Sequence, residues 1–188
     1  MKGMGHPDPR SCAELAAKGT ENIEGPLVLD LGCGTGLVGE ELLKLNFKKE
    51  QIWGVDASQG MLDVAETKQA YSKLIQLFLG KPDTYPEELR NKFDVVIAAG
   101  VLAEGHLGIE LFDEFLLSLK TGGYAIFTTR EEYLTKYGYG PAIQSHVEAG
   151  RMKPVEKKEF ERYHKIEEGE TIGRFKTVKA LALVYQKL

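Results

Sequence analysis

The chain has 188 residues, 43% hydrophobic content and a formal net charge of −4, which supplies one sizeable core in a single domain (1–188) and advertises no basic face for nucleic acid. Its two cysteines, Cys12 and Cys33, make neither a disulfide framework nor a zinc pattern. No bilayer-length apolar run or charged leader with an apolar core is present, so a cytoplasmic location without membrane or nucleic-acid partners is the default expectation.

Asp8-Pro9 reads as a helix start, with Asp8 as N-cap and Pro9 at the first helical position, the helix ending near Lys18. Leu27 to Leu31 is a first strand. A helix follows from Leu37, with Leu37, Val38, Leu42 and Leu45 at helical spacing. Ile52 to Val55 is strand two, and Ser58 caps a helix whose Met61, Val64 or Ala65 and Lys68 track one stripe. Leu74 to Leu79 is strand three, Pro82 to Asn91 is turn-rich, and Phe93 to Ala98 is strand four, apolar but for Asp94 as burial on both faces favours. Ile109, Phe112, Phe115 or Leu116 and Leu119 predict a helix closed by Gly122 in the left-handed conformation, and Tyr124 to Thr129 is strand five. The stretch after Arg130, with Tyr133, Tyr137 and Tyr139, reads as a mobile loop or a packed surface turn, before a helix over Pro141 to Ala149. Lys153 to Ile166 and Val178 to Tyr185, separated by Gly169 and Gly173, carry a hairpin signature. Strands alternating with helices before a closing hairpin predict an α/β fold, a parallel sheet with an antiparallel edge pair.

The chemistry concentrates in Val28-Leu29-Asp30-Leu31-Gly32-Cys33-Gly34-Thr35-Gly36. A strand ends in a carboxylate and a turn with Gly32, Gly34 and Gly36 leads into a helix, whose first N–H groups are unpaired and aimed at any ligand there. The dinucleotide fingerprint G-x-G-x-x-G is broken, because Leu37 stands where its last glycine belongs. Asp30, read as lying at the mouth of the site, repels pyrophosphate and suits an ammonium group. A second acid, Asp56, ends the next strand about 20 residues on, where a ribose diol is held. Turn and acids together describe an adenosyl amino acid; an NAD-linked oxidoreductase is disfavoured.

These blocks resemble the class I S-adenosylmethionine-dependent methyltransferases. Asp30 to Gly36 matches their D-x-G-x-G-x-G motif, Asp56 their second-strand acid and Gly60-Met61-Leu62 their following helix start. Phe93 to Ile97 resembles their fourth-strand motif, and Leu119-Lys120-Thr121-Gly122-Gly123 their L-K-P-G-G turn. The resemblance is good from Leu27 to Arg130 and weaker beyond. It implies a Rossmann-like sheet of about seven strands in the order 3-2-1-4-5-7-6, and S-adenosyl-L-methionine as cofactor, leaving as S-adenosyl-L-homocysteine. It also implies in-line methyl transfer to an O, N or S atom. The cofactor residues it carries over are Asp30, Gly32, Cys33, Gly34, Gly36, Asp56, Ala57, Met61, Leu79, Gly80 and Ala98. Met61 is either packed on adenine or ordinary core.

The sequence departs from the family in three places. The acid that usually holds the adenine amino group after strand three is replaced in Leu79-Gly80-Lys81, so apolar faces and backbone at Gly80, or the side chain of Asp83, are left to hold the base. The [NDS]-P-P-[YFW] motif of exocyclic-amine methylation is absent after Ala98, where Ala99-Gly100 stand; a small-molecule acceptor is expected instead. Candidate acceptor-side residues are Gly100, Glu104, His106, Arg130 and Tyr133. His106 is a general base or an exposed helix-start residue, and Arg130 a carboxylate clamp or a surface ion pair. Third, the lid helices usual ahead of the Asp8 helix are short or missing, which leaves an adenosylmethionine-binding sensor or partner protein without transferase activity as the alternative. No residue is assigned a catalytic role, and no metal site is expected.

Overall fold

The computed structural model describes residues 7–103, 105–165 and 175–188. In chain order its helices and strands are α1 (Pro7–Gly19), β1 (Val28–Leu31), α2 (Leu37–Lys44), β2 (Ile52–Asp56), α3 (Gln59–Thr67), β3 (Lys73–Gln76) and β4 (Phe93–Ala98). They continue with α4 (Leu111–Ser118), β5 (Leu119–Thr129), α5 (Glu131–Lys136), α6 (Tyr139–Glu148), β6 (Met152–Lys165) and β7 (Phe175–Lys187). The strands form one seven-stranded sheet in the order β3-β2-β1-β4-β5-β7-β6. The first five are parallel, and β7 runs antiparallel to both β5 and β6.

Side chains alternate across a strand, so each central strand feeds two cores. Leu29 and Leu31 of β1, Val96 and Ala98 of β4 and Phe127 of β5 pack with Phe112 and Phe115 of α4 and Ile143 of α6. Val28, Val95, Ile97 and Ile126 face the other way, against Cys12 and Ala13 of α1, Val38 and Leu42 of α2 and Leu62 and Ala65 of α3. Asp30 lies two residues from Val28 on that second face. No described helix is long and apolar enough to cross a membrane.

Several local expectations are corrected. Helix α1 begins at Pro7, so Asp8 stands in its first turn and accepts the Nε–H of Arg162 at 2.8 Å. Leu45 follows α2 as its C-cap and is exposed; in α3, Met61 and Val64 are exposed while Leu62 and Ala65 meet the core. Strand β3 stops at Gln76, and beyond it only Leu77 N–H reaches back to β2, donating to Asp56 O at 2.9 Å. Helix α4 starts at Leu111, leaving Ile109 exposed. Its end, Leu119, is extended, and Gly122 (φ +84°) instead sits inside β5, where the register against β4 shifts. The tyrosine-rich stretch is helical: Tyr133 and Tyr137 meet edge-on at 5.0 Å, and buried Tyr139 opens α6. The hairpin is present as β6 and β7; Gly169 and Gly173 lie outside the described residues.

Candidate functional site

The crevice lies at the carboxyl ends of β1, β2 and β4, where chain connections diverge to opposite faces of the sheet. The glycine turn is drawn onto β2 by two amides, since Gly32 N–H and Cys33 N–H both donate to Val55 O at 2.9 Å. Gly32, Gly34 and Gly36 all have positive φ (72°, 52° and 86°), backbone that a side chain disfavours. A Cβ on Gly34 would meet nothing within 4 Å among the described residues, so this bend leaves open space above bare backbone.

Asp56 ties the turn to the next helix. Its Oδ2 accepts Gly34 N–H and its Oδ1 accepts Ser58 N–H, each at 2.9 Å. Ser58 caps α3 in turn, its side chain accepting from Met61 N. Each carboxylate oxygen has a further lone pair, and Asp56 lines a cavity of about 270 Å³ with Gly32, Ala57, Leu77 and Leu79. Val101, His106 and Leu107 close the other side. They belong to a strap after β4 held at three points. Gly100 N–H donates to Thr128 Oγ1 (2.8 Å), Thr129 Oγ1–H to Leu102 O (3.1 Å) and Tyr139 O–H to Leu107 O (2.8 Å).

Asp30 is fully buried beneath the turn, and the cavity wall does not include it. Tyr71 O–H donates to its Oδ2 at 2.7 Å and accepts Gly39 N–H at 3.0 Å, which bridges β1 to α2. Gly39 is required by this contact, because a Cβ there would lie 2.6 Å from the Tyr71 ring. Oδ1 of Asp30 is buried with no hydrogen-bond partner among the described residues. Burial pushes the carboxyl up to about 7; the Tyr71 hydrogen bond opposes the shift and nearby Asp56 adds to it. Burial likewise raises the Cys33 thiol, with Asp30 and Asp56 adding to it, so it is no thiolate nucleophile.

The structure thus brings Gly32, Asp56, Ala57, Leu79 and His106 to one cavity. Gly34 joins through Asp56, whereas Ala98 is buried in β4 and Met61 stands exposed off the wall. Gly80 donates its N–H to buried Glu114 of α4 at 2.9 Å. Arg130 follows β5, pairs with Glu132 at 3.4 Å and lies 5.2 Å from the Tyr133 ring centre, away from the cavity wall. Glu104 lies outside the described residues. Sequence reasoning missed Tyr71 and Glu114, because their partners lie 41 and 34 residues away, and it missed Val101 and Leu107, which follow β4 without a motif.

The open bend at Gly34, Asp56 on the cavity wall and the buried carboxyl of Asp30 beneath the turn fit a cationic nucleoside better than a phosphate. They define a doubly wound α/β protein with a ligand crevice at its switch point. The chain belongs to the methyltransferase domain family, whose match spans residues 28–123. It is 38% identical over 116 residues to human methyltransferase-like protein 27, across 59% of this chain and 45% of that protein. Over 105 residues it is 30% identical to the ribosomal protein L11 methyltransferase of Acinetobacter baumannii, across 56% of this chain and 34% of that protein. The chain therefore spans less than half the length of these relatives. A solved S-adenosylmethionine-dependent methyltransferase from Clostridium acetobutylicum shares the fold, with a TM-score of 0.62 at 17% identity, covering 96% of this chain and 92% of that one.

Proposed function

We propose that this chain binds S-adenosylmethionine and catalyses methyl transfer to an O, N or S atom of a small-molecule acceptor. The carrying observation is Asp56: one carboxylate orders the glycine turn through Gly34 N–H while facing the cavity with lone pairs for a ribose diol. Asp30 lies beneath the turn with its carboxyl raised to about 7, so it is anionic above that value and then favours an ammonium group over a pyrophosphate. When bound, the donor's sulfonium supplies an already activated methyl group. The protein's own work is therefore alignment and exclusion of water, and alignment alone supplies several kcal/mol of barrier reduction. Val101 and Leu107 keep the cavity apolar on the strap side. Exposed His106 lines the cavity from that strap, which supports it as the base for an acceptor that stays protonated.

A small acceptor rather than a nucleic acid is supported by the acidic net charge of −4. The name of the Acinetobacter relative specifies a protein acceptor, so both classes enter the test. Calorimetry against S-adenosylhomocysteine and NAD comes first, with expected binding of the former alone and at least tenfold weakening by Asp56→Asn. Equal binding of NAD, or an unchanged Asp56→Asn protein, refutes the donor assignment. Labelled methyl transfer into a metabolite extract and into a ribosomal protein fraction then separates the acceptor classes, with incorporation expected in the former. No transfer to either would favour the non-transferase reading.

A further inference from the structure

A buried carboxylate holds the loop that closes one side of the cavity. The inference drawn from it rests on the donor reading above, in which Asp56 takes the diol. From Asp56 the wall continues through Leu77 and Leu79, beyond the last residue of β3. A segment past the end of its ladder needs other partners to hold its place.

Two anchors bracket this one. Leu77 N–H donates to Asp56 O at 2.9 Å and fixes the near end to β2. At the far end Gly80 N–H donates to both oxygens of Glu114, at 2.9 and 3.0 Å, and Lys81 N–H donates to Oε1 at 2.9 Å. Gly80 has φ +90°, a conformation open to glycine that here aims two successive amides at one anion. Glu114 is 1% exposed on α4 and stands off the cavity wall. Burial pushes its carboxyl up, the amides of Gly80 and Lys81 oppose that shift, and Glu110 and Asp113 add to it. Phe78 and Leu79 span the interval between the anchors. Where Leu79 and its backbone groups stand in the wall therefore follows from where Glu114 holds Gly80.

We propose that Glu114 is a positioning residue for the donor, setting affinity from behind the wall by holding Leu79 in place before the ligand arrives. When the competent arrangement is only fractionally populated, the apparent Kd rises in inverse proportion to that fraction. Glu114→Gln upsets the arrangement with little change of shape. Gly80 N–H faces both oxygens, so in either orientation of the amide a donor meets a donor.

The test is calorimetry of the full chain with S-adenosylhomocysteine and with adenosine, which share the nucleoside. Glu114→Gln should bind both about tenfold more weakly, the scale of one charge-assisted hydrogen bond. Amide exchange at Gly80 and Lys81 should rise in the free variant and fall again at saturating S-adenosylhomocysteine. Asp8→Asn breaks the ion pair of α1 with Arg162 of β6 and controls for lost stability alone; its affinities should match wild type. A Glu114→Gln affinity within about threefold of wild type, or an equal loss in Asp8→Asn, overturns the inference and leaves the donor reading standing. Should Glu114→Gln not fold, Gly80→Ala disturbs the same two amides through backbone strain, its Cβ meeting nothing within 4 Å among the described residues. Unchanged affinity in that variant overturns the inference equally. Failure of wild type to bind S-adenosylhomocysteine overturns the donor reading and this inference with it.

Discussion

Replacing Asp30 by asparagine isolates the cost of placing a carboxylate under the glycine turn. The carboxyl's ordinary value is 3.8, and burial raises it to about 7 in the folded chain. An acid whose folded value is raised binds its proton more tightly when folded. Its penalty is thus absent below about pH 4, grows as pH rises, and is complete above about pH 7. Each pH unit in that window is worth about 1.4 kcal/mol. Between pH 5 and pH 8 the wild-type protein therefore loses about 3 kcal/mol that Asp30→Asn does not lose. The amide keeps the shape and can still accept the Tyr71 hydroxyl, and its own unsatisfied N–H costs the same at each pH. Urea denaturation of both proteins at pH 5, 6, 7 and 8 reads the difference directly. Relative to wild type, Asp30→Asn should gain about 3 kcal/mol from pH 5 to pH 8, with the other ionisable groups cancelling. Parallel stability profiles would refute the claim that this buried acid carries the strain.

Tyr71→Phe removes the hydroxyl that bridges Asp30 and Gly39 N–H; a loss of about 1–3 kcal/mol is expected in urea denaturation, with the Asp30 transition moved to higher pH. Gly39→Ala sets a Cβ 2.6 Å from the Tyr71 ring and should lower stability by about 1–3 kcal/mol; pairing it with Tyr71→Ala should recover part of that loss, and strict additivity would contradict the contact. Tyr139→Phe releases Leu107 O from the strap and should raise backbone hydrogen exchange over residues 101–108 while costing about 1 kcal/mol of global stability.

The sheet was legible because its signals are local. Phe93 to Ala98 is apolar but for Asp94, and the expected strand matches β4 residue for residue. The strand order came from the family resemblance. Asp56 could be placed because a strand end and a cap at Ser58 bracket it. Asp30 was misplaced although the pattern held the answer: alternation puts it on the face of Val28, against α1 and α2, rather than at an open mouth. The α3 stripe failed for a related reason. The expected stripe of Met61, Val64 or Ala65 and Lys68 and the observed one of Leu62 and Ala65 fit a helical period equally well, and only the neighbouring α2 and Tyr71 decide which is covered. Glu114 resembles any solvent-facing acid of an amphipathic helix. Its burial follows from where the loop after β3 returns, which no window around α4 encodes.

The position of β7 bears on how the protein assembles during synthesis. Strand β6 meets the sheet only through β7, and β7 alone covers the flank of β5. A ribosome delivers β1 through β6 first, so a five-stranded half can condense while its β5 border, with Ala125 to Thr129 buried in the finished protein, still lacks a neighbour. Such a border invites pairing with other nascent chains until the final strand slots between its two predecessors. Stalling just short of Phe175 should therefore yield a species that associates, whereas extending the same chain through the 13 residues of β7 turns it monodisperse.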